Sequence, residues 1–160
     1  MTDTETAGAA VRPPHLFLAA LVLGFVVDHV LPLPFPVSRI GLAHWISAGI
    51  AGFMIVIGVA AFAAGIRNFS RATTPVQGTK PTSTLVTGGI HGWSRNPIYL
   101  GMFLLYIGIG LVVRSPWIVI LTLPLAITIR YGVVGREETY LERRFGDAYR
   151  DYKTRVRRWL

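Results

Sequence analysis

The chain has no cysteine, so a disulfide scaffold, a cysteine nucleophile and a thiolate metal site are all excluded. Charge is scarce too. Asp, Glu, Lys and Arg supply 15% of the 160 residues, against roughly 25% in an ordinary soluble domain. No two histidines stand at metal-ligand spacing. No G-x-x-x-x-G-K loop is present, and no G-x-G-x-x-G follows a strand, so the soluble nucleotide-binding folds are excluded. Acidic residues are the rarer sign: 8 against 16 basic ones, a net charge of +8. In a chain that is 52% apolar, this excess points to anionic lipid headgroups before it points to nucleic acid.

What is abundant is apolar sequence in long runs. Four blocks stand out: His15 to Leu31, Ile46 to Ile66, Pro97 to Val113, and Pro116 to about Gly135. A bilayer core of about 30 Å takes about 20 helical residues. The second block carries no charge, and its only polar side chain is Ser47. A soluble core helix would show a polar face. Its glycines and alanines offer small surfaces for close helix packing in lipid, and for a homodimer. Only Arg114 and Ser115 separate the third and fourth blocks, which demands a tight antiparallel hairpin. The expected fold is an all-α integral membrane protein with about four transmembrane helices and a C-terminal amphipathic helix. Residues 1–14 are expected to form a disordered tail ahead of a single domain over 15–160.

The basic residues orient the bundle. With the N-terminus inside, Arg12, Arg67, Arg71, Lys80, Arg95 and the eight Lys/Arg from Arg136 onward face the cytoplasm, against Arg39 and Arg114 outside. Both termini are then cytoplasmic, and chemistry built from both long polar segments happens at the inner surface. In the tail, Leu141, Phe145, Tyr149, Tyr152, Val156 and Trp159 recur at steps of three or four, the apolar face of a helix that Gly146 and Asp147 can interrupt.

Three places can carry chemistry. In Gly88–Tyr99, the glycines free the backbone, and His91, Arg95 and Asn96 offer donors to a carboxylate or phosphate. The plainer reading makes Asn96 an N-cap, Pro97 the first helical residue, and Trp93 and Tyr99 part of an interfacial belt. Glu137 and Glu138, where the fourth block ends, are either an acceptor for a cationic ligand group or a solvated turn beside Arg136 and Arg144. Arg130 lies inside a span, seven residues before Glu137 and so on the same helical face. An ionisable residue there is a functional candidate by default, unless it snorkels to the interface. Asp28 and His29 form a polar spot late in the first block.

Several of these segments occur together in one known family. Leu85-Val86-Thr87-Gly88-Gly89-Ile90, then Arg95-Asn96-Pro97-Ile98-Tyr99-Leu100-Gly101, a two-helix hairpin, Glu137-Glu138, Phe145-Gly146, Tyr149 and Tyr152 follow in order. This set resembles the isoprenylcysteine carboxyl methyltransferase family and, more distantly, the phospholipid N-methyltransferases, over roughly Gln77 to Trp159. The resemblance implies an S-adenosylmethionine-dependent membrane methyltransferase acting on a lipophilic acceptor (carboxylate, hydroxyl, thiol or amine) at the cytoplasmic face. It implies cofactor contacts at Gln77, Ser83, Thr84, Leu85, Val86, His91, Asn96, Pro97, Ile98, Tyr99 and Glu137. Leu85, Val86 and Tyr99 suit an adenine, His91 and Asn96 a carboxylate, and Glu137 an ammonium or ribose hydroxyl.

Two positions depart from that family: Asn96 stands where it has histidine, and Val133 where it has the arginine that faces the acceptor carboxylate. Arg130, about one turn earlier, is the expected replacement, with the catalytic task of orienting the acceptor. Expected partners are a lipophilic small-molecule acceptor and membrane lipid, with neither nucleic acid nor metal. The rival readings are an NADPH-dependent reductase similar to the membrane sterol reductases, and a non-enzymatic membrane scaffold.

Overall fold

A computed structural model of the chain describes residues 12–75 and 82–160. Helices are the regular structure among the described residues, with no strand among them. The helices are α1 (Pro13–Val30), α2 (Leu42–Arg71), α3 (Pro97–Val113), α4 (Pro116–Thr128), α5 (Gly135–Phe145) and α6 (Asp147–Arg155). Three helical stretches are long and apolar enough to cross a membrane: Pro13–Val30, Leu42–Arg71 and Pro116–Phe145, the last running through α4 and α5. The shorter apolar helix α3, Pro97–Val113, lies between them.

The helices follow the apolar blocks, with differences at their ends. α1 begins at Pro13, two residues before the expected block, because proline suits the first turn of a helix. α2 runs 30 residues. At 1.5 Å per residue that is about 45 Å, well beyond a hydrocarbon core of about 30 Å. Its last turns carry Asn68 and Phe69 past the apolar block, against the segment that precedes α3.

Close approach of α2 and α3 depends on glycine. A Cβ on Gly101 would lie 2.7 Å from both the Gly58 carbonyl oxygen and the Phe62 nitrogen, and one on Gly65 would lie 2.5 Å from Ile98. The small residues of α2 are therefore consumed partly within the chain. Gly49 and Gly52 face open space. The α3–α4 hairpin turns through Arg114, in the left-handed region at φ 59, and the Ser115 side chain accepts from the Ile118 N–H. α1 packs on α4, where Gly24 faces Ile118. The core joins Phe17, Tyr99, Tyr106, Ile118, Leu125, Ile129, Val133 and Val134.

Two features break the expected regularity. Residues Ile129–Val134 form a π turn, in which the Gly135 N–H bonds to the Arg130 carbonyl five residues back. Gly146, at φ +53, divides the tail into α5 and α6. Its apolar face still gathers: Leu141, Tyr149, Tyr152 and Val156 form a second buried cluster, joined by Leu85 and Phe145.

Candidate cofactor and acceptor site

The loop before α3 is held from two sides. From α2, Asn68 Nδ2 donates to the Gly88 carbonyl at 2.8 Å and meets His91 Nδ1 at 3.2 Å. The carbonyl contact identifies that atom as the amide nitrogen, so His91 Nδ1 accepts and the ring proton sits on Nε2. Gly89 takes φ +57 directly against Asn68, where a Cβ would lie 2.6 Å from Nδ2. Phe69 stands edge-on to the His91 ring. Burial lowers the His91 pKa to about 4, so the imidazole is neutral at pH 7.

The second clamp is the C-terminal segment, which folds back over the loop. Tyr152 donates its hydroxyl proton to the His91 carbonyl at 2.6 Å. Burial pushes the Tyr152 pKa up to about 12, which keeps that proton in place. The Arg95 N–H donates to the Arg157 carbonyl at 3.0 Å, and Asn96 Nδ2 donates to the Arg158 carbonyl at 3.0 Å. Asn96 does precede the first residue of α3, but its side chain makes no capping bond. Asn96 is thus the N-cap of α3 by position, with its amide turned toward the tail instead of capping.

The acidic pair divides its work. Glu138 binds Arg158 through both oxygens, at 3.0 and 2.5 Å, and Arg95 Nη1 stands 3.3 Å from Glu138 Oε1. Glu137 is 2% exposed. Its Oε1 accepts from the Tyr99 hydroxyl at 2.8 Å, while its Oε2 has no hydrogen-bond partner among the described residues. The expectation of a solvated turn is thus overturned for Glu137: helix α5 turns this carboxylate inward, under α3.

Two cavities meet at this place. A polar one, only about 10 Å³, is lined by Glu137, Glu138, Val86, Arg95, Tyr149 and others. A larger one, about 270 Å³, lies between the start of α1, the C-terminal end of α2 and the start of α3, with Phe62, Ile66, Ile98 and Met102 on its wall. His91, Arg95 and Asn96 line both. Pro97, Ile98 and Tyr99 line the larger, while Glu137 of α5 lines the smaller.

The remaining expected residues are placed differently. Ser83 and Thr84 are exposed and line neither cavity. Ser83 is tied to Thr74 Oγ1 through its N–H and its hydroxyl, both at 3.0 Å. Leu85 packs on the tail cluster. Gln77 lies outside the described residues. Arg130 is exposed, and its guanidinium lies 5.5 Å from the centre of the Tyr131 ring. It lines a separate apolar groove with Leu100, Phe103, Ile107 and Trp159. The seven-residue spacing puts Arg130 and Glu137 on one face only in a regular α-helix; the wider π turn between them breaks that register. Asn68 and Tyr152 were not expected as site residues, and Arg95 was read as a donor of the loop but not among the cofactor contacts. Asn68 was readable only as a polar residue closing an apolar helix.

A phospholipid methyltransferase family model matches residues 46–148, from α2 into α6. The chain belongs to the phospholipid methyltransferase family. Among its relatives, the protein-S-isoprenylcysteine O-methyltransferases of Rattus norvegicus and Mus musculus are each 38% identical over 122 residues, 70% of this chain and 40% of theirs. That of Homo sapiens is 37% identical over 112 residues, 64% of this chain and 37% of its own. The chain therefore spans about 40% of the length of these curated relatives. No solved structure matches it. This member of the phospholipid methyltransferase family shows no cluster of metal-ligating side chains among the described residues.

Proposed function

We propose that the protein transfers a methyl group from S-adenosylmethionine to a lipophilic acceptor at the cytoplasmic face of the membrane. The observation that carries this reading is Glu137: a carboxylate buried under the helix bundle, with one oxygen held by Tyr99 and the other unpartnered. Burying an ionisable group so incompletely bonded is costly. A cationic or hydroxyl-bearing ligand group supplies the missing partner, and S-adenosylmethionine has both an ammonium and ribose hydroxyls. When bound, that cofactor supplies an electrophilic methyl group on a sulfonium.

The chain's own residues bind, orient and exclude water. Tyr99 fixes the Glu137 carboxylate. His91 presents a neutral ring whose free proton is on Nε2, set by Asn68. The apolar walls from Phe62, Ile66, Ile98 and Met102 keep water from the reacting centre and suit an acceptor chain entering from lipid. Both termini lie on the cytoplasmic side in this reading, because the basic residues concentrate there. The acceptor reaches the site either through the larger cavity or along the groove that carries Arg130. If Arg130 orients the acceptor, Arg130→Ala raises the acceptor KM. Unchanged turnover assigns the acceptor to the cavity instead and removes Arg130 from the mechanism.

The test of the reading is binding. Purified protein in detergent is titrated with S-adenosylmethionine, S-adenosylhomocysteine and NADPH while thermal unfolding is followed, since a ligand that binds the folded state raises its apparent stability. Stabilisation by the first two and not by NADPH is expected. Stabilisation by NADPH alone supports a reductase. Stabilisation by none of the three supports the scaffold.

A further inference from the structure

We propose that the groove carrying Arg130 holds a resident anionic phospholipid of the inner leaflet, its phosphate on the Arg130 guanidinium and one acyl chain between α3 and α4. The inference needs neither the cofactor nor the acceptor. The groove has a volume of about 490 Å³. Leu100, Phe103 and Ile107 of α3 wall one side, and Ala126 and Ile127 of α4 wall the other. Because α3 and α4 form an antiparallel hairpin, Leu100 and Arg130 stand at one end, and Ile107 and Thr122 at the other. The stretch from Leu100 to Ile107 covers about 10 Å along the helix, a narrow apolar run that suits a single chain. Thr122 donates its hydroxyl to the Ile118 carbonyl of its own helix, so the far end stays apolar.

The near end has the chemistry of a headgroup boundary. Arg130 is exposed and has no acidic partner among the described residues. Tyr131, 68% exposed, and Trp159, edge-on to Phe103, flank it. Such amphipathic aromatics settle at headgroup level. A cation at the edge of a span is costly unless it meets an anion or reaches water there. Charge then selects the lipid. The guanidinium fork matches a phosphate, and Arg130 is the only charged residue that lines the groove. The ammonium of a zwitterionic headgroup finds no carboxylate, since Glu137 is buried against Tyr99 and Glu138 is bound by Arg158. The lipid is not the acceptor, because α3 stands between it and Glu137: Ile98, Tyr99 and Met102 line the larger cavity, whereas Leu100, Phe103 and Ile107 line the groove.

The test titrates the delipidated full chain in detergent with phosphatidylglycerol, with phosphatidylcholine carrying the same acyl chains, and with glycerol 3-phosphate, while thermal unfolding is followed. Wild type is expected to bind phosphatidylglycerol about 5-fold or more tightly than phosphatidylcholine, and glycerol 3-phosphate far more weakly than either. In Arg130→Gln the preference between the two lipids is expected to fall toward 1. Ala126→Phe, which fills the groove, is expected to weaken both lipids, and it carries the test if Arg130→Gln fails to fold. Equal binding of the two lipids by wild type, a preference that survives unchanged in folded Arg130→Gln, or lipid binding untouched by Ala126→Phe overturns the proposal. Glycerol 3-phosphate that binds as tightly as the lipid overturns it too, since the groove then plays no part. Methyl label recovered in phosphatidylglycerol after incubation with S-adenosylmethionine overturns the resident role.

Discussion

Replacing Glu137 by glutamine separates a residue kept for a ligand from one kept for the fold. The carboxylate is buried, accepts one hydrogen bond at 2.8 Å and leaves Oε2 unpartnered. An ion enclosed this way carries a penalty of several kcal/mol that one bond offsets only in part. Glutamine keeps an oxygen for Tyr99 and removes the charge, at the cost of an unpaired amide of about 1–3 kcal/mol. The ligand-free variant should therefore be as stable as wild type or more so, by roughly 1–2 kcal/mol. Ligand binding should move the other way. Losing the charge opposite an enclosed ammonium weakens S-adenosylhomocysteine binding by about 100-fold, or about 2.7 kcal/mol. Thermal unfolding in detergent gives the first quantity and calorimetric titration the second. The opposite signs are the point. A ligand-free variant that is clearly less stable, with S-adenosylhomocysteine affinity unchanged, would falsify the assignment and make Glu137 a structural residue.

Three further outcomes follow from the same geometry. His91 has its pKa lowered from 6.5 to about 4 by burial, so its stabilising contribution is complete above pH 6.5 and is lost as pH falls from there toward 4. The loss is at most about 3 kcal/mol, and His91→Gln should flatten that part of a stability–pH curve. Asn68→Leu frees His91 Nδ1 and should mix the imidazole tautomers, seen as a change in the His91 ring ¹⁵N shifts, whereas an unchanged spectrum removes Asn68 from the positioning role. Gly101→Ala puts a Cβ 2.7 Å from backbone atoms of Gly58 and Phe62 and should cost about 1–3 kcal/mol, while Gly49→Ala, with nothing within 4 Å, should leave the melting temperature almost unmoved.

The helices were legible because a bilayer imposes length and hydropathy on a chain, and the block at Ile46–Ile66 carries both without interruption. The break at Gly146 was legible from the Gly146-Asp147 pair. The inward turn of Glu137 was not, since a stretch rich in Arg and Glu reads as solvated until the fold places α3 over it. The shared face expected of Arg130 and Glu137 was lost for a related reason: a seven-residue spacing implies a shared face only if the helix is regular, and nothing in Ile129–Val134 marks a π turn. Asn96 read as a cap because of its type and its proline neighbour, but the Arg158 carbonyl, 62 residues away, takes its amide. Local signals were outweighed wherever the C-terminal segment folded back on the loop, a long-range event that periodicity does not report.

The most direct measurement is a structure determined with S-adenosylhomocysteine bound. The account predicts its ammonium or ribose hydroxyls against Glu137, with His91 and Asn96 alongside and its sulfur facing the apolar cavity between α2 and α3. A ligand found elsewhere, for instance in the groove beside Arg130 with Glu137 untouched, contradicts it.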